Sequence, residues 1–124
     1  HRVYDLTPRK FEELVADILR DLGFDVELTQ MTRDNGVDIY AYMRNAVTSF
    51  LMFVECKQWK PQHKVGIGIV QRLHGACKAG NANQGMLVTT SFFTGPALAE
   101  QRRIENEMKL RDFDAFRAWL QRYR

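Results

Sequence analysis

Cysteine and histidine are scarce: there are two of the first, Cys56 and Cys77, and three of the second in 124 residues. Neither set has the paired spacing of a structural zinc site, so a zinc-stapled fold has no ligands to build on. Both cysteines read as small buried hydrophobes in a reducing compartment, and the expected location is the cytoplasm. Long apolar runs are missing too. Nothing approaches the roughly 20 residues that cross a bilayer, and no basic-then-apolar leader opens the chain, so neither membrane contact nor secretion is expected. There is no internal repeat, low-complexity segment or visible domain boundary. The chain is expected to be one domain, residues 1–124, with a core of its own. It opens on His1 rather than Met, which suggests an excised piece of a longer protein.

What is present is ordinary in amount and uneven in placement. The formal charge of +3 and pI near 9.0 point only weakly to an acidic partner. Placement says more, because Lys57, Lys60, Lys64, Arg72 and Lys78 crowd into one stretch, as phosphate binding requires. Thr7 caps and Pro8 opens a helix on which Phe11, Leu14, Val15, Ile18, Leu19 and Leu22 recur at helical spacing before Gly23 ends it. Three strands are expected next, at Phe24 to Leu28, Val37 to Met43 and Thr48 to Cys56, with a polar turn at Met31 to Gly36. A polar loop from Gln58 to Lys64 leads to a helix marked by Ile67, Val70, Leu73, His74 and Cys77, and then to a strand from Met86 to Thr90. Strand, crossover helix and strand in that order imply a parallel pair. A helix from Ala97 to Asn106 behind Thr94 and Pro96, a short edge strand at Met108 to Leu110 and a helix from Phe113 to Tyr123 complete an α/β chain of order αβββαβα plus a βα addition.

Two phrases carry the chemistry: Gly36-Val37-Asp38 and Val54-Glu55-Cys56-Lys57. The second ends the apolar run Phe50 to Val54, which reads as a largely buried strand, and charge is unexpected there. Side chains alternate along a strand, so Glu55 and Lys57 share one face while Cys56 takes the other. Buried ions cost several kcal/mol each unless a partner or a metal offsets them. A metal-dependent site is the first hypothesis.

At this point the residues resemble the Mrr-type catalytic domain of the restriction-endonuclease-like, or PD-(D/E)XK, nucleases. The matching phrases are Leu6 to Val15, Leu22 to Val26, Arg33 to Ile39, Val54 to Lys57 and Leu87 to Thr94, in the family's order and over roughly the first hundred residues. Val37 stands where the motif's name has proline. The resemblance implies a restriction-endonuclease-like core, with a mixed central sheet flanked by helices. It implies that Asp38 and Glu55 hold a divalent cation together with the backbone carbonyl of Cys56, that Lys57 orients the attacking water or stabilises the phosphate, and that Glu12 completes the metal shell. Gln71 resembles a site-facing glutamine of some members. Hard oxygen ligands suit Mg2+, with Mn2+ able to substitute.

Each residue also has a plainer reading. Glu12 and Glu13 could be an acidic first helical turn. Lys60, Lys64 and Arg72 are candidate DNA contacts, although a cluster of loop charges is usually only solvated. Thr90 and Ser91 close a strand where α/β sheets gather ligands, yet they could simply cap the next helix. Phe92 and Phe93 read as core, and His63 and His74 have no catalytic partner at a recognisable spacing. The expectation is a Mg2+-dependent endonuclease that restricts foreign or modified double-stranded DNA, as in antiviral defence, acting as a homodimer or with an appended or separate specificity domain. A Holliday-junction-type resolvase is the alternative within the class, and a catalytically silent DNA-binding or assembly module the alternative outside it.

Overall fold

The computed structural model describes residues 5–30 and 36–123. In chain order the elements are α1 (Pro8–Asp21), β1 (Asp25–Leu28), β2 (Ile39–Arg44), β3 (Ser49–Lys57), α2 (Ile67–Ala79), β4 (Gln84–Thr89), α3 (Gly95–Arg103), β5 (Met108–Arg111) and α4 (Phe113–Tyr123). The strands lie side by side in sequence order. β1, β2 and β3 are antiparallel, whereas β3, β4 and β5 are parallel, so the sheet is mixed as expected. The change of direction follows from the connections: a short polar turn reverses the chain between β2 and β3, while α2 and α3 return it to the same end of the sheet before each of the last two strands.

The capping residues behave as their chemistry predicts. Thr7 Oγ1 accepts from the Lys10 amide at 3.1 Å and Thr94 Oγ1 from the Ala97 amide at 3.3 Å, each satisfying an amide that the helix itself leaves without a partner. α3 ends at Arg103, three residues short of the expected Asn106. The reason lies in the sheet, where the Glu107 carbonyl must reach the Gly85 amide at 2.8 Å to bring β5 alongside β4, so the chain turns early. The expected turn at Met31 to Gly36 falls, except for Gly36, outside the described residues.

Two apolar layers cover the sheet. α1 and α4 pack Phe11, Val15, Ile18, Leu19 and Phe116 on one face against Ile39, Met52, Val54 and Val88. α2 and α3 cover the other with Val70, Leu73, Cys77 and Ala97 against Phe53, Leu87 and Met108. Cys77 is buried and Cys56 half-buried, and both are free thiols. Phe11 and Phe116, both fully buried, meet edge to face at 5.1 Å and tie α4 to α1. Phe116→Ala should therefore cost about 3–5 kcal/mol. Denaturant unfolding checks this, and a loss below about 1 kcal/mol would mean that α4 adds little to the core.

Period-two alternation breaks at one point. Val37 belongs to the α2 layer and Ile39 to the α1 layer, although an unbroken strand would put both on one side. β2 accordingly begins at Ile39 rather than Val37, and Asp38 sits on the irregular residue between them.

Candidate active site

That irregularity places Asp38 at the mouth of a cleft of about 310 Å³, lined by Glu12, Gly36, Asp38, Glu55, Lys57 and Trp59 among others. Residues from α1, the start of β2 and the end of β3 converge here. The Asp38 amide donates to the Val54 carbonyl at 2.8 Å, and the Cys56 amide donates to Asp38 Oδ2 at 2.7 Å, so main-chain bonds hold both the backbone and the carboxylate. Glu55 and Lys57 share the α2 face, as alternation predicts, with Lys57 Nζ 3.1 Å from Glu55 Oε2.

Glu55 is the unusual group. Only 1% of its side chain is exposed, and Oε1 is buried with no hydrogen-bond partner. Oε2 takes Lys57 and also the Arg72 guanidinium, which reaches across from α2. Burial pushes the carboxyl above its usual range even though both cations pull it down. The main chain closes over this group, since a Cβ on Gly36 would stand 3.1 Å from each carboxylate oxygen, and its φ of +79° suits glycine.

Asp38 lies between Glu55 and Glu12 and affects both. Burial raises the Glu12 carboxyl first and the Asp38 charge adds to it, while the Arg9 guanidinium pulls it down. Burial likewise raises Asp38, against the Cys56 amide and Lys57, which lower it. Arg9 steadies Glu12, donating to Oε1 at 2.9 Å while its other nitrogen donates to the Thr29 carbonyl at 2.8 Å. Among the described residues no three acids, histidines or cysteines converge tightly enough to form a ready metal cage. The donor chemistry nevertheless fits a hard divalent cation: Asp38 and Glu55 are oxygen ligands, and the buried Oε1 lacks a partner that such an ion would supply. Glu12, paired with Arg9, lines the same cleft.

Other expected site residues fall elsewhere. Gln71 lies on the exposed side of α2 and does not line the cleft; the same turn presents Arg72 to Glu55 instead. Thr90 and Ser91 are fully buried. Their hydroxyls donate to the carbonyls of Trp59 at 2.7 Å and His63 at 2.9 Å, so they brace the loop after β3 and are closed to phosphate, which corrects their reading as DNA contacts. Lys60 and Lys64 are exposed on that loop. Phe93 is core, as read, and His74 is tied to Glu107 at 2.8 Å.

Trp59 was missed. It lines the cleft, with its ring 4.6 Å from His63 and 5.7 Å from Lys57 Nζ. A tryptophan two residues past the Glu-Cys-Lys phrase in an otherwise polar loop was the available signal. A larger groove of about 610 Å³ lies at the other end of β3, around Tyr42, Arg44 and Ser49. Among its described lining residues Glu27 is the one acid and there is no lysine, so it lacks this constellation.

A family model described as restriction endonuclease, Mrr_cat, matches residues 3–120. The type IV methyl-directed restriction enzyme EcoKMrr of Escherichia coli is 31% identical over 97 residues, covering 74% of this chain and 31% of that protein. The uncharacterized protein y4cE of Sinorhizobium fredii is 28% identical over 118 residues, covering 93% and 30%. Among solved structures, the DNA modification-dependent restriction endonuclease AspBHI superposes with a TM-score of 0.79 at 26% identity, over 94% of this chain and 32% of that one. MspJI restriction endonuclease, in complex with a 27-mer oligonucleotide, superposes with a TM-score of 0.75 at 24% identity, over 96% and 29%, a likeness of fold. The chain spans less than a third of the length of these curated relatives. Its mixed sheet between paired helices is the restriction-endonuclease-like fold. With that model matched from residue 3 to residue 120, the chain belongs to the Mrr_cat family of restriction endonucleases.

Proposed function

We propose that this chain is the cleavage domain, residues 1–124, of a Mg2+-dependent endonuclease that cuts modified or foreign double-stranded DNA in the cytoplasm. The observation that carries the reading is Glu55, a buried carboxylate with one oxygen unpartnered, set beside Asp38 and Lys57 in a cleft open to solvent. Asp38 and Glu55 would hold the cation, with Glu12 and the Cys56 carbonyl as further oxygens. When bound, the ion polarises the scissile phosphate and lowers the pKa of an attacking water. Lys57 would donate to that water or to the phosphate oxygen on which charge develops.

Modified DNA is favoured because EcoKMrr is methyl-directed and AspBHI modification-dependent by name. As this chain spans less than a third of those relatives, recognition is assigned to a further segment or a partner, and two copies would cut the two strands. The test is Mg2+-dependent cleavage of methylated and unmethylated supercoiled plasmid, with a four-way junction alongside. Preference for methylated plasmid supports restriction, and preference for the junction would move the assignment to a resolvase. No cleavage by a folded chain that still binds DNA would favour the silent module.

A further inference from the structure

Arg72 sits on the exposed flank of α2 with 47% of its side chain open to solvent, yet it turns its guanidinium onto Glu55 Oε2. Lys57 already holds that oxygen at 3.1 Å. Two cations thus share one oxygen while its twin, Oε1, has none. The Gly36 main chain packs over the pair, where a Cβ would stand 2.9 Å from Arg72 Nη2.

We propose that Arg72 is a latch released by phosphate: in the free protein it occupies the Glu55 carboxylate in place of a divalent cation, and a DNA backbone phosphate draws it away, so that cation and DNA bind cooperatively. This rests on the cleavage reading and names how the same site is regulated. A divalent ion at Asp38 and Glu55 would be crowded by both side-chain cations, and like charges repel more strongly beside a carboxylate only 1% exposed than in open solvent. One cation has to give way. Lys57 is held by its strand, with its carbonyl accepting from Thr89 Oγ1 at 2.6 Å and the Thr90 amide at 3.2 Å, and only 24% of its side chain is exposed. Arg72 stands at the solvent edge on a long stem, and its planar fork fits a phosphate better than an ammonium does. Lys60 and Lys64, exposed on the loop that leads into α2, add positive charge to that loop.

The test measures Mn2+ affinity from the free-ion paramagnetic resonance signal, with and without saturating duplex DNA, read before cleavage proceeds. Without DNA, Arg72→Met should bind Mn2+ about tenfold more tightly than wild type; duplex should raise the wild-type affinity by a similar factor and the variant's little. Linkage requires that Mn2+ tighten wild-type binding to duplex by the same factor. A variant no tighter than wild type, or a wild-type affinity indifferent to duplex, overturns the latch; the second comparison needs no variant to fold. Mn2+ that binds, is lost in Glu55→Gln and is unmoved by Arg72→Met or DNA removes the latch alone. If Mn2+ does not bind wild type at all, with or without duplex, the cleavage reading falls with it.

Discussion

Asp38→Asn should lower plasmid cleavage by at least about three orders of magnitude, equivalent to roughly 4 kcal/mol of transition-state stabilisation, with no loss of fold. The two effects separate because the carboxylate has two jobs. As a hydrogen-bond acceptor it satisfies the half-buried Cys56 amide at 2.7 Å, and an asparagine oxygen can do the same. As a charge it supplies a ligand, and asparagine cannot replace that. The charge does not help the fold. Burial raises the Asp38 carboxyl above its ordinary value, so the folded state takes up protons more readily than the unfolded one. For a carboxyl shifted in that direction, stability falls as pH rises from the ordinary value through the raised one, and at neutral pH the ionised group is a net cost. The asparagine variant should thus unfold at or above the wild-type denaturant midpoint. Asp38→Ala is the useful contrast, because it leaves the Cys56 amide without its acceptor and should cost about 1–3 kcal/mol. Wild-type cleavage by a folded Asp38→Asn protein would end the proposed role of this residue.

Much of this was legible in the chain because it depends on local rules. The caps at Thr7 and Thr94 act over three residues, and the shared face of Glu55 and Lys57 follows from strand alternation. What escaped depends on contacts between distant residues. Arg72 looked like one more surface cation because nothing local says that a turn of α2 will face the end of β3, 17 residues earlier. Thr90 and Ser91 looked available because hydroxyls at a strand end usually are; they are buried because the loop after β3 folds back over them and its carbonyls need donors. The break in alternation at Asp38 was also invisible, since Val37-Asp38-Ile39 reads as a regular strand and becomes irregular only when two different helical layers claim its two apolar residues.

Lys57→Met should reduce turnover by roughly 10²–10³-fold, the size of losing one well-placed donor to developing charge, while Mn2+ affinity stays within a few fold of wild type. The argument rests on what anchors the residue. Its carbonyl is fixed by Thr89 and Thr90 from β4 and the turn that follows, so the substitution alters the side chain and leaves the strand, and hence Glu55, in place. Removing the ammonium takes a cation from Glu55 Oε2, but Arg72 remains on that oxygen, and a divalent ion would meet less repulsion than before. Metal affinity therefore has no reason to fall, whereas the donor aimed into the cleft is gone. Lys57→Arg should not restore the rate, because a planar fork cannot put one compact charge where the ammonium stood. Parallel loss of Mn2+ affinity and turnover in Lys57→Met would assign Lys57 to holding Glu55 in position rather than to donating to the developing charge.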